Sequence, residues 1–217
     1  MKSKIKYVFF DMDGVILDSE PLHCEAKIHL LKSNHVQSQN NLLEYVGVSN
    51  DVFWSDIIRK YQLDTDPETM ARDQAQLVAE FVRLHNLPAS DGLLELMDSL
   101  DAKGVKMSVV SSSPRHLVEP VLEYLKIKQR FQVIVTGDDV ENVKPAPDLY
   151  LLALRKNNID ASKAMAVEDS KFGVQAALTA GIKCVGYENP TSGNQDLSKA
   201  THTVTNLTQI LDILEKI

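Results

Sequence analysis

Cysteine is almost missing from this 217-residue chain, which has only Cys24 and Cys184. They lie far apart and form no CxxC pair, so the sequence holds neither a thiol-redox motif nor a paired-cysteine metal site. Both are expected to be small buried thiols in a reducing cytosol. Long apolar runs are missing too. Lys2 to Lys6 is charged and Tyr7 to Phe10 is short, so neither a secretion signal nor a membrane span is expected, and a cytoplasmic location follows. Basic residues are in deficit: 23 Lys and Arg face 30 Asp and Glu, giving a net charge of −7. Without a basic stripe, nucleic acid is excluded as the expected partner. There is no internal repeat and no low-complexity tract, and no feature calls for a second copy, so a monomer is expected.

What is present is a foldable composition, 44% hydrophobic and 24% charged, which predicts a packed core. Tyr7-Val8-Phe9-Phe10 is bulky and apolar on both sides, and it stops abruptly at Asp11. That pattern reads as a buried strand of a parallel sheet. It recurs at Met107 to Val110, Val133 to Val135 and Ala164 to Val167, each ending in small polar or acidic residues. Lys183 to Tyr187 and His202 to Thr205 read as further strands.

Helical patterns alternate with these strands. They cover Leu93 to Leu100, Leu117 to Leu125 behind a Ser113 cap with Pro114 at the first helical position, and Leu149 to Leu154 behind Pro147-Asp148. Gly173 to Ala180, stopped by Gly181, and Leu207 to Leu214 complete the set. The alternation predicts an α/β fold with a doubly wound parallel, Rossmann-like sheet. Between Gly14 and Leu87 the rhythm breaks: Pro21 to Lys32, Asn50 to Tyr61 and Pro67 to His85 read as helices with no strand among them. The expected organisation is a catalytic core of residues 1–14 and 88–217 carrying an all-helical cap, residues 15–87. Phe53 and Trp54 are expected in the cap's own core.

Ligands of open α/β sheets bind at the carboxyl ends of the strands. Here those ends carry Asp11, Asp13, Ser111, Asp138, Asp139, Glu168 and Asp169, followed by Lys144 in Lys144-Pro145-Ala146-Pro147. So many carboxylates together call for a cation, and an all-oxygen set beside phosphate suits Mg²⁺. Phosphoryl transfer employs each member. Asp11 can attack phosphorus, and Asp13 can act as general acid and then base. Ser111, with Ser112 and the following backbone N–H groups, can hold phosphate oxygens, while Gly14 permits a close backbone approach. Lys144 can neutralise developing charge. Asp169, with Glu168, completes the metal set begun by Asp11 and Asp13. Asp138 and Asp139 can equally serve to order their loop.

Asp11-Met12-Asp13-Gly14-Val15, Val109-Val110-Ser111, Lys144-Pro145 and Val167-Glu168-Asp169-Ser170 match, in order, the four motifs of the haloacid dehalogenase superfamily. The chain resembles that superfamily from Lys6 to Tyr187, and its helical insert resembles a C1-type cap. Lys144-Pro145-Ala146-Pro147-Asp148 and Glu168-Asp169-Ser170 bring it nearest to the β-phosphoglucomutase-like phosphatases and mutases. The resemblance implies Asp11 as nucleophile and ligand, Asp13 as acid/base with its backbone carbonyl also on the metal, and Asp169 as a further ligand. His23 fits a cap-hinge histidine of β-phosphoglucomutase. Gly47-Val48-Ser49-Asn50 departs from that enzyme, with Asn50 where its pattern has an arginine for the distal phosphate, and the lysine expected near Arg72-Asp73 is missing. An asparagine lacks the charged bidentate grip of arginine. The expectation is therefore a magnesium-dependent phosphatase that hydrolyses small phosphate monoesters, such as sugar phosphates, through an aspartyl phosphate. The alternative is a phosphosugar mutase on the same scaffold.

Overall fold

The computed structural model describes residues 5–36 and 50–216. Of the segments read above, Gly47, Val48, Ser49 and residues 1–4 lie outside them. Six strands form one parallel sheet: β1 Tyr7–Phe10, β2 Lys106–Val110, β3 Phe131–Val135, β4 Ala164–Glu168, β5 Lys183–Tyr187 and β6 His202–Val204. Their spatial order is β3-β2-β1-β4-β5-β6. β1 therefore sits where the order reverses, with β2 on one side and β4 on the other, which is the topological switch point of such sheets. The register sets Phe10 level with both Val109 and Val167, so these three strands end together and deliver the residues after them to one edge.

Two-sided burial explains the composition of the strands. Val8, Phe9 and Phe10 are fully buried, as are Val109, Val110, Ala166 and Val167, and each large side chain so placed contributes about 2 kcal/mol. Helices cover the sheet: α4 Leu93–Ala102, α5 Arg115–Tyr124, α6 Asp148–Asn157, α7 Lys171–Thr179 and α8 Ile210–Lys216. Phe9, Val135, Leu149, Tyr150, Ala153, Val174 and Ala177 share one core cluster between strands, α6 and α7. The helix α7 starts where the Ser170 hydroxyl accepts the Gly173 N–H at 3.0 Å and stops before Gly181 at φ +79.

The chain divides into two compact units, Met1–Asp18 with Leu87–Ile217, and Ser19–Asn86. The second is built of α1 Glu20–Ser33, α2 Asn50–Tyr61 and α3 Pro67–Leu84. It has its own core of Leu30, Leu31, Val36, Phe53, Trp54, Ile57 and Met70. The amphipathic α3 begins at Asp66, whose carboxylate accepts the Thr69 N–H at 2.8 Å, with Pro67 next to it. Among the described residues, no helix is long and apolar enough to cross a membrane.

Three local expectations need correction. The boundary lies after Asp18 and not after Gly14, because Val15, Ile16 and Leu17 are fully buried. Their N–H groups turn back to the Met12 carbonyl, and the Ile16 carbonyl accepts the Ser90 N–H. Pro114 is itself the N-cap of α5. The side chain that caps this helix is Asp138, which accepts the Arg115 N–H at 2.8 Å. Cys24 is exposed on α1, whereas Cys184 is buried in β5.

Candidate active site

Asp11 follows β1 directly, its N–H bonded to the Val167 carbonyl at 3.0 Å. Its Oδ1 accepts the Met12 N–H at 2.7 Å, which fixes the carboxylate at the sheet edge. The chain then makes a tight turn in which Gly14 adopts φ +77. A side chain on Gly14 would bring its Cβ within 1.9 Å of the Asp169 carboxylate. What Gly14 makes room for in this structure is thus a second carboxylate. Ser113 donates from its hydroxyl to Asp13 Oδ2 at 2.6 Å and orients that half-buried carboxylate.

Lys144 crosses beneath from the loop after β3. Its ammonium lies 2.9 Å from Asp11 Oδ1 and 2.7 Å from Glu168 Oε1, with all three side chains nearly out of water. Its third proton goes to the Val110 carbonyl at 2.9 Å. Burial disfavours this ammonium, but Asp11 and Glu168 outweigh it and raise the group well above the ordinary lysine range. Tyr150, on α6, is fully buried and donates its hydroxyl to Glu168. Burial and the charge of Asp11 push Glu168 up, against the pull of Lys144 and Tyr150.

Asp11, Glu168 and Asp169 are all buried, and one ligand atom from each lies within 4.8 Å of the others. Burial, then the Asp11 charge, push Asp169 up to about 7, while the Ser192 hydroxyl bonded to it works the other way. Glu168 Oε2 is buried with no hydrogen-bond partner. One ammonium, paired with two of three clustered carboxylates, leaves excess negative charge, and an orphaned buried oxygen lies in the same cluster. An oxygen-only donor set with uncompensated negative charge fits a hard divalent cation.

The carboxyl-edge cluster thus gathers Asp11, Asp13, Gly14, Ser111, Lys144, Glu168 and Asp169. Ser111 is buried and its Oγ accepts the Ser113 N–H at 3.0 Å, shaping the turn; Ser112 is exposed. Asp138 and Asp139 work locally. Asp139 accepts from the Thr136 N–H at 2.9 Å and pairs with Arg115 at 2.6 Å, so both aspartates order the loop and the start of α5. His23 and Asn50 belong to the helical unit. There Gln74 Nε2 lies 3.0 Å from His23 Nδ1 and 3.3 Å from Asn50 Oδ1.

Four residues of these clusters escaped the sequence reading in these roles. Ser113 was in view only as a helix cap. Ser192 follows the end of β5, and reading that strand end like the others would have found it. Gln74 stands four residues from Met70 and from Val78, a polar residue on the buried stripe of α3, which is a legible signal. Tyr150 gave none, since a buried tyrosine in a helix reads as core.

The family model described as haloacid dehalogenase-like hydrolase matches residues 8–187. The validoxylamine A 7'-phosphate phosphatase of Streptomyces hygroscopicus subsp. limoneus is 31% identical over 94% of this chain and 95% of its own length. The fructose-1-phosphate phosphatase YqaB of Escherichia coli K12 is 31% identical over 82% of this chain and 94% of its own. Among solved structures, CbbY from Rhodobacter sphaeroides in complex with phosphate superposes with a TM-score of 0.86 at 22% identity, covering 95% of this chain and 96% of that one. The β-phosphoglucomutase of Clostridium difficile gives a TM-score of 0.77 at 21% identity, covering 98% of each chain.

Proposed function

This chain belongs to the haloacid dehalogenase-like hydrolase family, as a phosphoric monoester phosphatase, and from that premise we propose that it hydrolyses small phosphorylated metabolites with Asp11 as nucleophile. The observation that carries the mechanism is the buried Lys144 ammonium bridging Asp11 and Glu168, with Asp169 beside them. A carboxylate so held keeps one oxygen on the lysine and leaves the other to attack phosphorus.

In the first step an Asp11 oxygen bonds to phosphorus as the bond from phosphorus to the ester oxygen breaks. Asp13, steadied by Ser113, gives its proton to that leaving oxygen. In the second step water attacks phosphorus, Asp13 takes the water's proton, and Asp11 departs as a carboxylate, leaving inorganic phosphate. Asp11, Asp169, the Asp13 backbone carbonyl and Glu168 would hold Mg²⁺, which when bound supplies positive charge against the nucleophile and the transferring phosphoryl oxygens. Lys144 offsets the same charge from the protein side. Ser111 and Ser112 would receive phosphate oxygens, with Gly14 at the turn beside them.

Sugar phosphates are the favoured substrates, supported by the sugar-phosphate specificity in the name of the Escherichia coli relative. The helical unit Ser19–Asn86 would serve as a cap, with His23 and Asn50 its substrate-facing side chains. Asn50, neutral and bonded to Gln74, favours transfer to water over a mutase that must grip a second phosphate. The same reading has the enzyme working in the cytoplasm as a monomer, with neither nucleic acid nor membrane as partner.

The test is phosphate release from a panel of phosphorylated metabolites, with Mg²⁺ or with chelator. Release should require Mg²⁺ and fall by about 10³-fold or more in Asp11→Asn. Activity that persists in this variant would overturn the mechanism. Conversion of β-glucose 1-phosphate to the 6-phosphate, faster than phosphate release, would replace phosphatase by mutase.

A further inference from the structure

Gln74 is fully buried in the helical unit, although it stands on the packed stripe of α3. A buried primary amide must satisfy one oxygen and two N–H groups, and its orientation is fixed by what surrounds it. Here Trp54, also fully buried, decides the matter. Its indole nitrogen lies 2.8 Å from Gln74 Oε1, and an indole N–H can only donate. The amide oxygen must therefore face Trp54, and the NH₂ group must face the other way. The two N–H groups meet His23 Nδ1 at 3.0 Å and Asn50 Oδ1 at 3.3 Å. Turning the amide over would set donor against donor at Trp54, which a buried site does not tolerate.

From this we propose that Trp54 and Gln74 form a relay that fixes the tautomer of His23, with Nδ1 as acceptor and the ring proton on Nε2. In the neutral ring, whatever meets Nε2 must then accept a hydrogen bond. His23 presents a donor, suited to a hydroxyl, carbonyl or phosphoryl oxygen, and it does not serve as a base through that atom. Asn50 is held by the same amide, so both side chains are set by one buried residue. Trp54 and Gln74 are positioning residues. Their bearing on substrate rests on the phosphatase reading, whereas the tautomer itself does not.

The test uses the intact chain labelled with ¹⁵N-histidine, at alkaline pH where an imidazole is neutral, with the His23 signals assigned by their loss in His23→Gln. Wild type should show Nδ1 in the unprotonated and Nε2 in the protonated range. Gln74→Glu keeps the shape but places an acceptor oxygen at both ends, so it should move the proton to Nδ1. Trp54→Phe should let both tautomers populate. A proton on Nδ1 in wild type, or no response to Gln74→Glu, would overturn the relay. For a sugar phosphate turned over by the wild type, Gln74→Glu should raise KM about fivefold or more, with a smaller change in kcat. A reversed tautomer with unchanged KM would overturn the positioning role, while the Asp11→Asn assay reads the phosphatase mechanism separately.

Discussion

Lys144 serves two carboxylates at 2.9 and 2.7 Å, and Asp169 stands beside them with the Ser192 hydroxyl as a hydrogen-bond donor. The residues legible in the sequence were the acidic strand ends Asp11, Asp13, Glu168 and Asp169, which have little structural reason to gather, and Lys144 in the Lys-Pro turn after β3. Those that were not legible, Ser113, Tyr150 and Ser192, act by holding these groups, and their types are common in loops and cores. The unbalanced charge has a consequence for stability. A carboxyl pushed up to about 7 binds its proton more tightly in the folded chain than in the unfolded one. Its stabilising effect is therefore complete below pH 4 and is lost as pH rises through about 7. Asp169→Asn removes the ionisable group while keeping an acceptor for Ser192. In chelator at pH 8 this variant should be more stable than wild type, by a figure on the order of 2 to 4 kcal/mol. The difference should shrink at pH 5, and Mg²⁺ should no longer raise the melting temperature. Thermal unfolding with and without Mg²⁺ measures all three; a variant less stable than wild type in chelator would contradict the charge argument.

At the scale of elements, the strands were legible because a short, two-sided apolar run has few other homes than a parallel sheet. The helix starts were less so. Ser113-Pro114 has the form of a cap and first turn, yet the Ser113 hydroxyl is drawn to Asp13 and the cap of α5 comes from Asp138, which no local pattern reveals. The start of α3 is simpler, since Asp66 caps it through Thr69. Those two bonds from Thr69, backbone first, hold the Asp66 carboxyl below its ordinary value. A depressed carboxyl contributes stability above the usual carboxylate pKa of about 4, and that contribution disappears as pH falls through the lowered folded value. Asp66→Ala should therefore lower the melting temperature at pH 7 and flatten the acid side of the stability profile, measured from pH 7 down to pH 2. An acid side as steep as wild type would show that the cap is not the cause.

For the whole molecule, the break in strand rhythm between Gly14 and Leu87 announced helices without strands, and the structure puts Ser19–Asn86 in a compact unit of its own. The division falls after Asp18 because hydrophobic burial extends through Leu17, a continuity that a motif ending at Gly14 does not display. Substrate choice was not legible at this scale. In the helical unit polar groups such as His23, Gln74 and Asn50 meet across three helices, whereas helical periodicity reports only which face is packed. The family was legible, since its four motifs stand in order along the chain and the family model matches residues 8–187. The central claim is that phosphorus is transferred twice, first to Asp11 and then to water. The stereochemistry of hydrolysis of a chirally labelled phosphate ester tests it most directly. Two in-line displacements predict retention of configuration at phosphorus, and inversion would mean that water attacks the ester without Asp11 as an intermediate.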